Sequence, residues 1–212
     1  MIVAQQQEND LTGVAGWAAG VIETLGAVGV GLLILLENLF PPLPSELILP
    51  LSGFAASEGR VNVVAVAVAA TAGSVAGALL LYGLGAWLGH ERAYRLADRI
   101  PFVDPADLDR ATGWFRKHGG ATVLFGRLVP VVRSFVSIPA GIERMPLTRF
   151  ILYTTLGSAV WNTAFVALGY LLGSRWEEAG TYVGYATWAV LALAVLWIAK
   201  FLLGRARHRN FP

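Results

Sequence analysis

Residues 24–57 read TLGAVGVGLLILLENLFPPLPSELILPLSGFAAS. The segment is apolar enough to enter a bilayer, but Pro41, Pro42 and Pro44 fall at its middle, and each lacks an amide donor and blocks continuation of a helix. The arms on either side, about residues 24–40 and 45–57, reach roughly 25 and 20 Å at 1.5 Å per residue, short of the approximately 30 Å hydrocarbon core. A re-entrant hairpin that dips into the membrane and returns to its own side follows. Residues 119–142 behave alike, interrupted by Pro130 after Gly126 and closed by Pro139 and Gly141. Non-helical backbone at membrane depth survives only where protein or water covers it, so these prolines and glycines are expected to shape two tips that line a cavity.

Outside the hairpins, residues 61–89, 150–174 and 179–199 carry no formal charge, each run long enough for a transmembrane helix. The chain is 56% apolar and 14% charged, against roughly 25% charge in soluble domains. The predicted fold class is an all-α integral membrane protein with two re-entrant helical hairpins and about three transmembrane helices in an inverted-repeat arrangement. The predicted layout is one membrane domain: an interfacial helix at 11–26, hairpin one at 27–57, a transmembrane helix at 61–89, a cytoplasmic connection at 90–118, hairpin two at 119–142, transmembrane helices at 147–173 and 180–203, and a cytoplasmic tail at 204–212. The interfacial helix is read from Leu11, Val14, Ala15, Ala18, Ile22 and Leu25, which recur at helical spacing. Within the connection, Asp104 can cap a helix that has Pro105 at its first position, and Gly119–Gly120 supplies its stop. Its stripe of Leu108, Ala111 and Phe115 suits a helix at the interface or a solvated connector.

A net charge of +2, with basic residues not interleaved with aromatics, gives no support to a nucleic-acid partner. Cysteine is absent, which excludes disulfides and thiolate metal sites. The first 23 residues hold no Lys or Arg, so the basic start of a secretory signal is missing and the N-terminus is expected to stay attached.

Gly73, Ser74, Gly85, Leu88 and Gly89 recur 84 residues later as Gly157, Ser158, Gly169, Leu172 and Gly173. The pattern reads as an internal repeat, with small-residue helix packing as the competing explanation. A hairpin returns to its own side and a helix crosses, so each repeat makes one net crossing and the second must be inverted. Charge agrees with this. Arg92, Arg95, Arg99, Arg110, Arg116 and Lys117 lie in the connection, Arg144 and Arg149 follow the second hairpin, and Lys200, Arg205, Arg207 and Arg209 lie in the tail, while the opposite side has only Arg60 and Arg175. The positive-inside rule places the basic set and the C-terminus in the cytoplasm. Short, Gly/Pro-interrupted segments in corresponding places of two inverted halves point to a transporter's substrate site.

The only charges within the hairpins are Glu37 and Glu46 in the first and Arg127 and Arg133 in the second. A charge at mid-bilayer costs roughly 2.5–3.5 kcal/mol on insertion scales, so the four must pair or hydrate. Two arginines bracketing Pro130 suit a phosphate: their planar forks bond its oxygens, and Ser134 with amides freed at the broken turn would add neutral donors. Glu37 and Glu46 are candidates for proton coupling or gating, since a carboxylate at that depth can act as a protonation switch. The competing reading is a set of fixed ion pairs that pin the two tips together. His90, His118 and His208 lie in connections or the tail, so neither a metal site nor a soluble cofactor is expected, and no catalytic residue is assigned.

Two ordered motifs carry a family resemblance. Glu37-Asn-Leu-Phe-Pro-Pro-Leu-Pro-Ser-Glu46 leads into Leu-Ile-Leu-Pro-Leu-Ser-Gly53. Later, Trp114-Phe-Arg-Lys-His-Gly is followed by Gly126-Arg-Leu-Val-Pro-Val-Val-Arg133-Ser-Phe-Val-Ser-Ile-Pro139-Ala-Gly141. From about Leu25 to Leu203 the chain resembles the DedA membrane family. The resemblance implies a bacterial plasma-membrane protein with two opposed re-entrant hairpins that moves phospholipid-like molecules between leaflets. It implies undecaprenyl phosphate as substrate, with phosphatidylethanolamine or another phospholipid as the alternative, and functional roles for Glu37, Arg127 and Arg133. Some members carry Asp in a Gly-Asp-Ser turn where this chain has Pro44-Ser45-Glu46, so the role of Glu46 carries over less directly. Proton coupling belongs to the family at large.

The expectation is therefore a lipid flippase and not an enzyme, with a lipid substrate, protons as a candidate co-substrate and a homodimer allowed by the Gly-rich faces. A proton-coupled small-solute exporter and a structural membrane organiser compete with it. A lipid phosphatase is disfavoured because no nucleophile or general acid stands beside the arginines.

Overall fold

The computed structural model describes residues 14–40, 45–99, 105–130 and 132–173. Among them there is no strand. The helices are α1 (Val14–Leu39), α2 (Ser45–Ser57), α3 (Val63–Arg99), α4 (Pro105–His118), α5 (Gly120–Gly126), α6 (Val132–Phe135), α7 (Ser137–Ile142) and α8 (Leu147–Leu172). The span expected at 180–203 and the tail at 204–212 lie outside the described residues.

Three stretches are long and apolar enough to cross a bilayer: Gly16–Leu39, Val63–Ala93 and Leu147–Leu172. Their outward faces explain why. Val28, Leu32 and Leu36 on α1 and Leu152, Leu156 and Val160 on α8 recur every fourth residue and stay exposed, which is the stripe a helix presents to lipid rather than to a protein core.

The first of these stretches is bent. Gly26 takes φ 58° and ψ −138° inside α1, a backbone conformation that a Cβ would oppose. Thirteen residues remain beyond the bend, roughly 20 Å of helix. They end where the Phe40 amide makes a last bond to the Leu36 carbonyl at 2.7 Å, before the amide-lacking Pro41. Helix α2 has the same length, 13 residues, with Glu46 in its first turn, where the helix dipole favours an acid. Asn62 then caps α3, its Oδ1 accepting from the amides of Val64 at 3.0 Å and Ala65 at 2.9 Å. Arg60, just before this cap, pairs with Glu23 of α1 at 2.7 Å and with Glu58 at 2.9 Å.

The second interrupted segment is more broken than its sequence suggests, forming α5, α6 and α7 in succession. Pro139 and Gly141 were expected to close it. Both instead lie inside α7. Proline is tolerated in a first turn, whose amides have no helical partner, and the chain leaves the helix at Glu143 and Arg144, the latter at φ 49°.

Packing runs crosswise between the halves. Helix α1 packs on α3 and α5 packs on α8, but α2 packs on α8 and α7 packs on α3, while α3 and α8 also touch each other. A Cβ at Gly53 would collide with the Val166 carbonyl and Tyr170 amide, and one at Gly141 with the Tyr82 carbonyl and Ala86 amide. Gly169 abuts the Pro50 carbonyl just as Gly85 abuts the Ile138 carbonyl. Corresponding atoms are thus 84 residues apart in the long helices and 88 apart in the short ones. One apolar cluster, with Ala78, Phe115, Val123, Ala140, Met145 and Phe150 buried, joins α3, α4, α5, α7 and α8. Tyr82 borders it and donates to the Met145 carbonyl at 2.6 Å.

Candidate functional site

Arg127 and Arg133 stand on either side of the turn at Pro130, and both are buried, at 2% and 4% exposure. Each reaches a side chain of α1 about ninety residues earlier. Arg133 Nη2 donates to Glu37 Oε2 at 2.6 Å. Arg127 Nη1 donates to the Asn38 Oδ1 at 3.0 Å, and its Nη2 donates to the Ser137 hydroxyl at 2.7 Å. The Asn38 amide is oriented by its other end, since Nδ2 donates to the Ile34 carbonyl at 3.0 Å. Consecutive residues of α1 therefore hold both guanidiniums, one through a charge and one through a neutral amide.

Two glycines of the long helices make room for this. At Gly157 of α8 a Cβ would press on the Arg127 side chain and the Leu124 carbonyl; at Gly77 of α3 it would press on the Asn38 side chain. Gly157, one of the residues read as a repeat, is thus also a wall against which the polar site is packed.

The charges do not cancel locally. Among the described residues Arg127 forms no ion pair, and its Nε has no hydrogen-bond partner. Glu46 is half-buried and likewise forms no ion pair among the described residues. Two buried guanidiniums thus share one contacting carboxylate, Glu37, leaving donors in excess of acceptors. An anion would satisfy such a set, because buried donors without acceptors cost free energy and guanidiniums form their strongest hydrogen bonds to anionic oxygens.

Of the residues singled out in the sequence, Glu37, Arg127, Arg133 and Ser134 are all buried, and direct contact joins Glu37 to Arg133. Glu46 is not brought into contact with either arginine. Among the described residues, the backbone amides expected to be free beside Pro130 are not. Those of Leu128, Val129, Val132 and Arg133 all donate to chain carbonyls, to Phe125, Gly126, Pro130 and Val129 in turn. Tight local turns absorb these donors, so among the described residues the donor set is made of side chains.

Sequence reasoning missed four polar residues. Asn38 and Ser137 anchor Arg127. Trp161 places its ring 5.8 Å from the Arg133 Cζ. Asn162, the next residue, is fully buried and donates to Ser74 Oγ at 3.1 Å, tying α8 to α3. The signal that could have found Asn162 is a strongly polar amide inside an otherwise uncharged apolar run. No group of three or more His, Cys, Asp or Glu side chains is placed to hold a metal ion among the described residues.

The family model described as the VTT domain matches residues 43–171. An "Alkaline phosphatase-like protein" of Lactococcus lactis subsp. cremoris is 41% identical, covering 91% of this chain and 92% of its own length. Proteins named undecaprenyl phosphate transporter A from Bacillus subtilis and Staphylococcus aureus are 30% and 32% identical, covering 90% and 88% of this chain and 93% and 95% of their own. No solved structure matches.

Proposed function

The chain belongs to the VTT-domain, or DedA, family of membrane proteins, and from that premise we propose that it is a flippase for a phosphate-bearing lipid, with undecaprenyl phosphate as the leading substrate. The observation that carries the reading is the buried arginine pair, held by α1 with a single contacting carboxylate inside a membrane protein. The relatives named as transporters of undecaprenyl phosphate support the same chemistry.

In this reading Arg127 and Arg133, with Ser134, receive the lipid phosphate while the prenyl tail stays in the bilayer. The α1 arm beyond Gly26 with α2, and α5 with α6 and α7, are two re-entrant hairpins entering from opposite faces. The matched contacts of Gly53 and Gly169 where α2 meets α8, and of Gly141 and Gly85 where α7 meets α3, favour an internal repeat, because equivalent residues recur 84 apart in the long helices and 88 apart in the short ones; the charge pattern makes that repeat inverted. The positive-inside pattern puts the C-terminus in the cytoplasm of a bacterial plasma membrane. Glu37 competes with the substrate for Arg133, and its protonation would release that arginine; Glu46, not in contact with either, would act from a distance. Coupling to protons requires that protonation favour one facing of the site over the other.

The test is transbilayer movement of labelled undecaprenyl phosphate in liposomes containing the purified protein, beside an Arg133→Ala variant shown to be folded by melting. Movement by wild type alone is expected. Movement by neither, at any imposed pH gradient, would overturn the lipid reading in favour of a small-solute exporter, and phosphatidylethanolamine in the same assay resolves the alternative lipid. Free phosphate measured in parallel tests a phosphatase activity, for which release from the lipid without movement is the diagnostic result.

A further inference from the structure

A tryptophan that the site's charges do not account for is held beside them. The Trp161 indole lies over the Arg133 guanidinium, 5.8 Å from the ring centre to Cζ, a separation at which the cation is attracted to the ring face. One helical turn on, Phe165 packs against the same indole at 4.7 Å between ring centres. The neighbouring Asn162 locks α8 to α3 through Ser74, so the helix that carries Trp161 cannot readily turn about its axis. The ring is fixed on several sides. Yet its Nε1 is buried and has no hydrogen-bond partner among the described residues.

An indole N–H is a donor only and usually finds an acceptor when buried, and leaving one unmade costs free energy. The acceptor that satisfies it must come from outside this set, and the group it lies against, Arg133, attracts an anion. We propose that Trp161 is a substrate-binding residue, its indole N–H donating to an oxygen of the same anionic headgroup that Arg133 binds. The ligand class is a tetrahedral oxyanion at the end of an apolar chain, whose several oxygens serve a guanidinium and an indole at once. The proposal rests on the phosphate-site reading and extends it to a third donor, supplied by α8 rather than by either interrupted segment. A neutral donor also leaves Arg133's charge untouched, so it adds affinity without adding to the cost of a buried cation.

Binding of dodecyl phosphate to the purified protein in neutral detergent, followed by calorimetry, tests it with wild type, Trp161→Phe and Arg133→Ala. The Phe variant keeps an aromatic ring beside Arg133 and loses the donor together with the indole's second ring. Its affinity is expected to fall about tenfold or more, the loss appropriate to one hydrogen bond to a charged group. Undiminished binding by Trp161→Phe overturns the inference while leaving the phosphate site intact. No binding by wild type, or full binding by Arg133→Ala, overturns the phosphate site and the inference together. Should the Phe variant melt early, the indole ¹⁵N–¹H signals of the wild-type protein, assigned by single Trp→Phe changes, decide: the Trp161 signal moves with dodecyl phosphate but not with dodecyl maltoside, and an unmoved signal refutes the assignment.

Discussion

Arg127 is held by Asn38 at 3.0 Å rather than by an acid, although Glu37 is the adjacent residue. An amide oxygen orients a guanidinium without cancelling its charge, whereas a carboxylate would do both.

Asn38→Asp is therefore expected to separate stability from transport. A carboxylate beside Arg127 supplies a buried ion pair and should keep or raise the melting temperature, while transbilayer movement of the phosphate lipid falls by at least tenfold. Asn38→Ala, by contrast, strips a hydrogen bond from a buried charge and should cost about 1.5–3 kcal/mol. Melting in detergent together with the liposome assay distinguishes the two; unimpaired movement by Asn38→Asp would show that Arg127's free charge is not used.

The Glu37–Arg133 contact at 2.6 Å gives a charge-swap experiment its correct partner. Either single reversal leaves a like pair buried and should destabilise by about 3–5 kcal/mol, the cost of breaking a buried pair. The double change Glu37→Arg with Arg133→Glu should recover much of that in melting temperature. If the residues only pin the hairpins, movement recovers too. The phosphate-site reading expects folding without movement, because the swap moves the guanidinium off the segment that carries Arg127.

Glu37→Gln tests gating with little change in shape. The amide still accepts from Arg133 but carries no charge to compete with a phosphate. Binding of dodecyl phosphate should tighten, and the rate of lipid movement should stop responding to an imposed pH gradient. A variant that responds to the gradient as wild type does would place the protonation switch elsewhere, with Glu46 the next residue to replace.

Gly85→Ala and Gly169→Ala form a matched pair. Each added methyl meets a backbone carbonyl, of Ile138 and of Pro50 respectively, and carbonyls cannot rotate away as a side-chain tip can. Both should lower stability, by about 1–3 kcal/mol as for an overpacked core, and by similar amounts in thermal melts. Gly83→Ala, where a Cβ meets nothing within 4 Å, is the control and should be near neutral or stabilising.

The broad class of the protein was legible because it rests on local chemistry: proline cannot donate, an uncharged run can cross lipid, and a charge at depth must find company. Burial of Glu37, Arg127 and Arg133 follows from the last of these. Which acid meets which arginine was not legible, since Glu37 and Arg133 are 96 residues apart and four charges allow several pairings. Asn38 and Ser137 escaped notice because amides and hydroxyls are ordinary in any sequence until a partner singles them out. The amides near Pro130 were misjudged for a simpler reason: a proline frees carbonyls and donors, but adjacent turns claim them again at short range.

The crosswise packing of α2 on α8 also bears on how the chain is made. Gly53 meets its backbone neighbours at Val166 and Tyr170, about 115 residues later, and at roughly 5–20 residues per second a ribosome needs about 6–23 s to supply them. For that interval α2 has its tight-packing face uncovered, with only α1 and the emerging α3 beside it. The nascent α2 therefore reaches its final packing only once the last of its partners has been made.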